Sequence, residues 1–156
     1  PLTLAYTSEE TDINVEEELA PVKRRRIGEG LVVETVLSEL TLGYLQKSAG
    51  EQDSVTSVSA AASQDGYEYT GLGGESVLTE RKWGFEWRHI DAAGLDQPAR
   101  CFVHKATTVI NGNLEFSKKS DDYPGIPIQI KALADTSQAV GQKFCRFERV
   151  TAEKTS

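Results

Sequence analysis

Residues 125–144 read GIPIQIKALADTSQAVGQKF. Ile126, Ile128 and Ile130 recur at spacing two, the period at which side chains return to one face of a β-strand. Ala132-Leu133-Ala134-Asp135 and a short polar turn follow, and a second alternating run starts at Lys143. The stretch predicts a buried strand, a tight connector and a closing strand, and nothing in it is catalytic.

Strand signals also dominate outward from it. Thr11–Leu19 alternates Ile13 and Val15 with polar residues until Pro21, and reads as a half-buried strand. A short basic run, VKRRRI, covers Val22–Ile27, and the β-branched stretch Leu31–Leu37 is a further strand. One helix is expected, with Thr41 as N-cap, Leu42, Leu45 and Ala49 on its apolar face, and Gly50 just past its end. Lys82–Ile90 places Trp83, Phe85 and Trp87 on one side. A turn over Ala92–Pro98 and a long strand over Arg100–Ile110 come next. Asn111-Gly112 signals a hairpin, with Leu114–Ser117 returning antiparallel. A loop over 118–125, strands over 126–134 and 143–150, and a polar tail over 151–156 complete the chain. The sum is a mainly β single domain over 1–156, an antiparallel sandwich or barrel with one flanking α-helix.

Residues 51–80 stand apart. They are rich in Ser, Ala, Gly, Asp and Gln, and contain weak strand signals at Val55–Ala60 and Tyr67–Thr70. Thirty such residues are long for a connection within a domain, so a long loop or extended hairpin is expected, either mobile or ordered by a partner.

The 156 residues are 38% hydrophobic and 26% charged, a balance that fits a folded globular domain. No apolar stretch approaches the roughly 20 residues of a membrane-spanning helix, and no secretory leader opens the sequence. It begins at Pro1 and holds no Met. The net charge of −7 argues against a protein that grips duplex phosphates. Cys101 and Cys145 read as buried reduced thiols, because four ligands at zinc spacing are not found. His89 and His104 lie on separate strands without HxH or HxxxH spacing. Gly71-Leu72-Gly73-Gly74 lacks the GK[ST] ending of a phosphate loop, and Asp121-Asp122 lacks calcium-loop spacing. The Trp83-Phe85-Trp87 stripe reads as core, since Glu80 and Glu86 offset the cations that a nucleic-acid stacking groove needs. No convergent acid, base and nucleophile can be assembled, so no enzyme, metal or cofactor is expected.

Charge is more informative. Glu9, Glu10, Asp12, Glu16, Glu17 and Glu18 form an acidic block, and Lys23, Arg24, Arg25 and Arg26 a basic one. A chain with both can associate head to tail, and such a contact closes into a ring if the rotation allows. Glu9, Glu10 and Lys23 to Arg26 are therefore the candidate ring-interface charges.

Several stretches, in order, resemble the major tail tube proteins of phages with long, non-contractile tails. They are Ala5-Tyr6-Thr7-Ser8-Glu9-Glu10, with Ala5 where Gly is usual, and Ala20-Pro21-Val22-Lys23. Leu37-Ser38-Glu39-Leu40-Thr41-Leu42 followed by Gly50, and Ile126 through the ALAD turn at Asp135, complete the set. The resemblance implies a β-sandwich with a flanking helix, shared with type VI secretion tubes. It implies hexameric rings stacked into a virion tail, assembled in the host cytoplasm, whose lumen conducts DNA without specific binding. Implied partners are further copies of the chain and the tail tip, tape measure and tail terminator proteins, with no membrane. It also implies that the 51–80 segment contacts the next ring, with Tyr67, Tyr69 and Leu72 as candidates, and that Glu16 and Glu18 face the lumen. Little sequence precedes the Tyr-Thr entry, and no C-terminal immunoglobulin-like domain is expected. The alternatives are a terminator or secretion-tube ring protein, or a carbohydrate- or peptide-binding sandwich with Trp83 and Trp87 as its platform.

Overall fold

The isoleucine ladder forms the centre of one curled antiparallel sheet. The computed structural model describes residues 2–14, 21–39, 41–52, 54–90, 92, 94–114 and 125–151. The elements are β1 (Thr3–Ile13), β2 (Lys23–Leu37), α1 (Leu42–Ala49), β3 (Thr56–Val58), β4 (Tyr67–Tyr69), β5 (Arg81–Ile90), β6 (Asp96–Ile110), β7 (Ile126–Ala132) and β8 (Cys145–Arg149). The main sheet runs β1-β2-β7-β6-β5, and β8 also pairs with β6. It curls into a half-barrel, so the chain is mainly β with one helix. β3 and β4 form a separate hairpin.

The core follows from strand parity. Ile126, Ile128 and Ile130 on β7 are fully buried beside Val33 of β2 and Cys101, Val103 and Ala106 of β6. Cross-strand partners share a face, and Val33 pairs with Ile130, which in turn pairs with Thr108. Thr108 is buried there too, its hydroxyl without a partner. Helix α1 packs against β6 and β7.

Thr41 caps the helix as expected, its hydroxyl accepting from the Tyr44 N–H at 3.2 Å. Gly50 closes it in the left-handed region at φ 78°. The buried side of the helix differs from expectation. Leu45 borders the core, but the fully enclosed side chains are Gln46 and Ser48. Both are hydrogen-bonded, which makes their burial tolerable. Ser48 donates to the Tyr44 carbonyl at 2.6 Å, and Gln46 exchanges two hydrogen bonds with Ser54, at 2.6 and 2.8 Å.

Several boundaries move. The first strand starts at Thr3, not Thr11, because a cross-strand partner decides the matter: Thr3 to Ile13 run in register against Glu34 to Lys23, and 15–19 of the expected strand lie outside the described residues. The basic run and the Leu31–Leu37 strand are one continuous strand. The expected turn over Ala92–Pro98 is shorter, since β6 starts at Asp96. Ile110 pairs with Ile128, and Leu114 itself lies outside any strand. The expected return strand at 115–117, the Asp121-Asp122 loop and the tail from 152 lie outside the described residues, as do Glu16 to Glu18.

β7 and β8 do not pair with each other among the described residues but follow one another along β6. Ala106 pairs with Ala132 of β7, and Val103 with Cys145 of β8. Three residues along β6 thus span thirteen on its partner side, so ten are looped out of one collinear ladder. The loop is tied at its base by Asp135 N–H to Lys143 carbonyl at 2.9 Å and His104 N–H to Phe144 carbonyl at 3.2 Å.

Replacing Ile128 with Ala should cost about 3 kcal/mol of unfolding free energy by urea denaturation, the usual range for a buried aliphatic side chain. Gly50→Ala should cost at least about 2 kcal/mol. A Cβ there would stand 2.5 Å from the Thr108 carbonyl oxygen on a backbone at φ 78°. A loss under 1 kcal/mol in both would contradict this account of the core.

Candidate assembly surface

β1 and the first half of β2 form an arm that leaves the sheet. β2 is bonded to β7 only from Val32 to Leu37. Before Val32 it is paired with β1 alone among the described residues. Every residue of β1 is exposed. Its eleven residues extend roughly 35 Å. A bulge at Ile27, where Glu9 faces Gly28 and Glu10 faces Arg26, bends the arm.

The acidic and basic blocks meet within this arm. Glu10 lies opposite Arg26, and Asp12 opposite Arg24 with an ion pair at 2.9 Å. Arg26 also pairs with Glu29 at 2.5 Å, and its guanidinium stands 6.0 Å from the Tyr6 ring centre. Tyr6 donates its hydroxyl to Glu29 at 2.9 Å. These bonds, from Arg26 first and then Tyr6, hold the Glu29 carboxyl below its ordinary range, while the bond to Glu29 raises the Tyr6 phenol. Of the candidate interface charges, Arg24 and Arg26 are thus engaged inside the arm. Glu9, Lys23 and Arg25 have no side-chain partner among the described residues.

Between the arm and β8 lies a cleft of about 510 Å³. Leu4, Tyr6 and Leu31 form one wall, and Phe144, Cys145 and Phe147 the other. Tyr6 is 50% and Phe147 58% exposed, so apolar surface is open here. Lys143 stands at the mouth, close enough to help lower the Glu29 carboxyl. Val140, at the tip of the looped-out segment, is 92% exposed. Neither Tyr6, Glu29 nor Phe147 was singled out as a site residue by sequence. Only the strand pairing, which no local pattern encodes, brings them together.

The second projecting element is the 51–80 segment, the expected hairpin. Its base is pinned: Thr79 N–H donates to the Gly50 carbonyl at 2.7 Å, and Arg81 donates to the Glu51 carbonyl. The Gly73 N–H donates to the Glu51 carboxylate. Tyr67 and Tyr69 are exposed on one face of β4, with ring centres 6.1 Å apart, and Leu72 is exposed beyond them.

The aromatic stripe is core in part. Trp83 and Phe85 stack at 6.4 Å and pack against the buried cluster, whereas Trp87 is 40% exposed near the end of β5. Cys101 is buried and Cys145 half-buried, both as free thiols. Burial, and then the neighbouring Cys145, pushes the Cys101 thiol up to about 12, so it is protonated and unreactive at neutral pH. His89 and His104 sit on β5 and β6, and His89 has neither ring nitrogen bonded. Among the described residues no group of three or more His, Cys, Asp or Glu is placed to hold a metal ion. None of their helices is long and apolar enough to cross a membrane. No model of a known protein family matches the chain, and no curated protein matches it in sequence.

Asp135 fixes the looped-out segment beside the cleft. Its carboxylate accepts from the Ser137 hydroxyl at 2.7 Å, the Ser137 N–H at 3.0 Å and Gln138 at 3.2 Å. Those bonds hold it at about 2, below the ordinary 3.8. A lowered carboxyl contributes stability that is fully present above the unfolded value and lost as pH falls through the folded one. The stability difference between the wild type and Asp135→Asn should therefore be constant above pH 3.8 and shrink as pH drops towards about 2. A difference that grows on acidification would refute this assignment.

Proposed function

We propose that the chain is a ring-forming tube subunit of the phage-tail type, a structural protein with no catalytic role. The observation that carries the reading is the arm. An edge strand exposed at all eleven positions is a liability in a protein that works alone, because its unpaired N–H and C=O groups template further pairing. Joining such edges around a ring removes the liability.

Three further features support the reading. The half-barrel leaves both of its outermost strands, β1 and β5, without a second partner among the described residues. The β3–β4 hairpin is anchored at its base but adds no strand to the main sheet, as suits an element that reaches a neighbouring ring. The order of the tail-tube-like stretches along the sequence agrees with both. On this reading the copies stack into a tail tube whose lumen passes DNA, and Tyr67, Tyr69 and Leu72 meet the next ring. The partners are further copies together with tail tip, tape measure and terminator proteins, and the location is the virion.

A ring protein of a terminator or secretion tube would share the arm but stop at one ring. Trp87 favours a different reading, a module that binds carbohydrate or peptide, because half-open tryptophans on edge strands serve as platforms. Negative-stain electron microscopy over a concentration series separates the three. Hollow tubes should appear as concentration rises. Single rings that never stack would favour the terminator reading. Monomers throughout, with tryptophan emission that shifts on adding oligosaccharides or peptides, would replace assembly with binding.

A further inference from the structure

We propose that β1 of one copy pairs edge to edge with β8 of the next, seating the acidic strand of one arm in the cleft of its neighbour. The proposal rests on the tube reading and names the contact through which copies join.

The cleft lies between two strand edges without partners among the described residues: β2 before Val32, and the side of β8 away from β6. An occupant must offer an unpaired edge of its own. The main sheet of a second copy offers four, on β1, β5, β8 and the start of β2, and charge selects among them. β8 and the bend before it carry Lys143, Arg146 and Arg149 against Glu148, which pairs with Arg146 at 2.7 Å, and on the facing wall Arg26 is paired with Glu29. β5, with Arg81, Lys82 and Arg88 against Glu86, would meet like charge. The basic start of β2 and β8 itself would do the same. β1 holds Glu9, Glu10 and Asp12 and no cation. It is the one acidic edge of the four.

Parity supports the match. Cys145, Phe147 and Arg149 lie on the core face of the sheet, because their partners Val103, Cys101 and Ala99 do, so Arg146 lies on the other. On β1, Asp12 shares the core face with Leu4 and Tyr6, while Glu9 lies on the outer one. A parallel register that sets Glu9 opposite Arg146 also sets Asp12 opposite Arg149. An antiparallel register with the same first pair sets Asp12 opposite Lys143. Either way both acids meet cations, and Phe147 falls opposite Glu10 in the parallel register or Ser8 in the antiparallel one. The two surfaces differ, so the contact is heterologous and its repetition builds a ring or a filament.

Charge reversal tests the pairing. Arg146→Glu with Arg149→Glu should raise the concentration at which assembly begins, measured by sedimentation, about tenfold or more, as like charges replace opposite ones. Adding Glu9→Arg should bring that concentration back towards the wild-type value, with circular dichroism unchanged in every variant. Wild-type assembly should weaken with salt, because these charges are exposed. A reversed variant that assembles as well as the wild type, or one that Glu9→Arg fails to restore, overturns the β1–β8 pairing and leaves the tube reading standing. A wild-type chain that stays monomeric at every concentration overturns both.

Discussion

The ladder along β6 is the constraint on which the rest depends. That strand is fifteen residues long and is bonded on both edges, to β5 on one and to β7 and then β8 on the other. Its inward residues Ala99, Cys101, Val103, Ala106 and Thr108 are all buried. A bulge between its pairings with Arg81 and Trp83 switches the inward parity from odd to even numbers. Without that switch the second half of β6 would turn Lys105 and Thr107 inward, and Ile130 would lose its neighbour Thr108. The half-barrel therefore hangs on one strand whose register is fixed twice.

The polar surface is organised by the same pleat. Outward positions carry Arg100 with Glu86 at 2.7 Å, Lys105 with Glu80 at 2.9 Å, and Glu34 accepting from Gln129 at 2.8 Å. These pairs are well exposed, so each contributes little to stability. Their effect is on register more than on stability, since a slip by one residue would part them and expose the isoleucines. The arm is built by the same rule but without a core. Glu10 opposite Arg26 and Asp12 opposite Arg24 match acid with base across β1 and β2, which favours one register in an otherwise bare hairpin.

What was legible in the sequence was whatever repeats at short range. The Ile126-Ile128-Ile130 alternation announced the buried strand, and Thr41 and Gly50 announced both ends of the helix. The weak signals at 55–60 and 67–70 announced the projecting hairpin. What was not legible depended on partners distant in sequence. Leu4 and Tyr6 alternate with Thr3, Ala5 and Thr7, but only pairing with β2 carries that strand on to Ile13. The partner of Ile110 is Ile128, distant in sequence, which the Asn111-Gly112 turn signal does not encode. The helix buries Gln46 because Ser54 satisfies its amide, a compensation no helical period reveals. Cross-strand neighbours likewise created the cluster of Tyr6, Arg26 and Glu29.

The ten looped-out residues between β7 and β8 explain why a cleft exists at all. β7 and β8 follow one line along β6, so an uninterrupted strand there would also lie beside β2 over its full length and zip the arm into the sheet. Instead the chain leaves the line after Ala132, turns on the Asp135 carboxylate and re-enters at Cys145. β8 regains its register with β6 but not with β2. Neighbouring strands twist by roughly 20° relative to one another, and the Ile27 bulge adds to that, so β2 diverges from β8 once no hydrogen bonds hold it. The same insertion that interrupts one ladder thus exposes two strand edges, one on either side of an apolar floor. A chain that must join copies of itself gains from such an interruption. A chain that works alone would be better served by closing it.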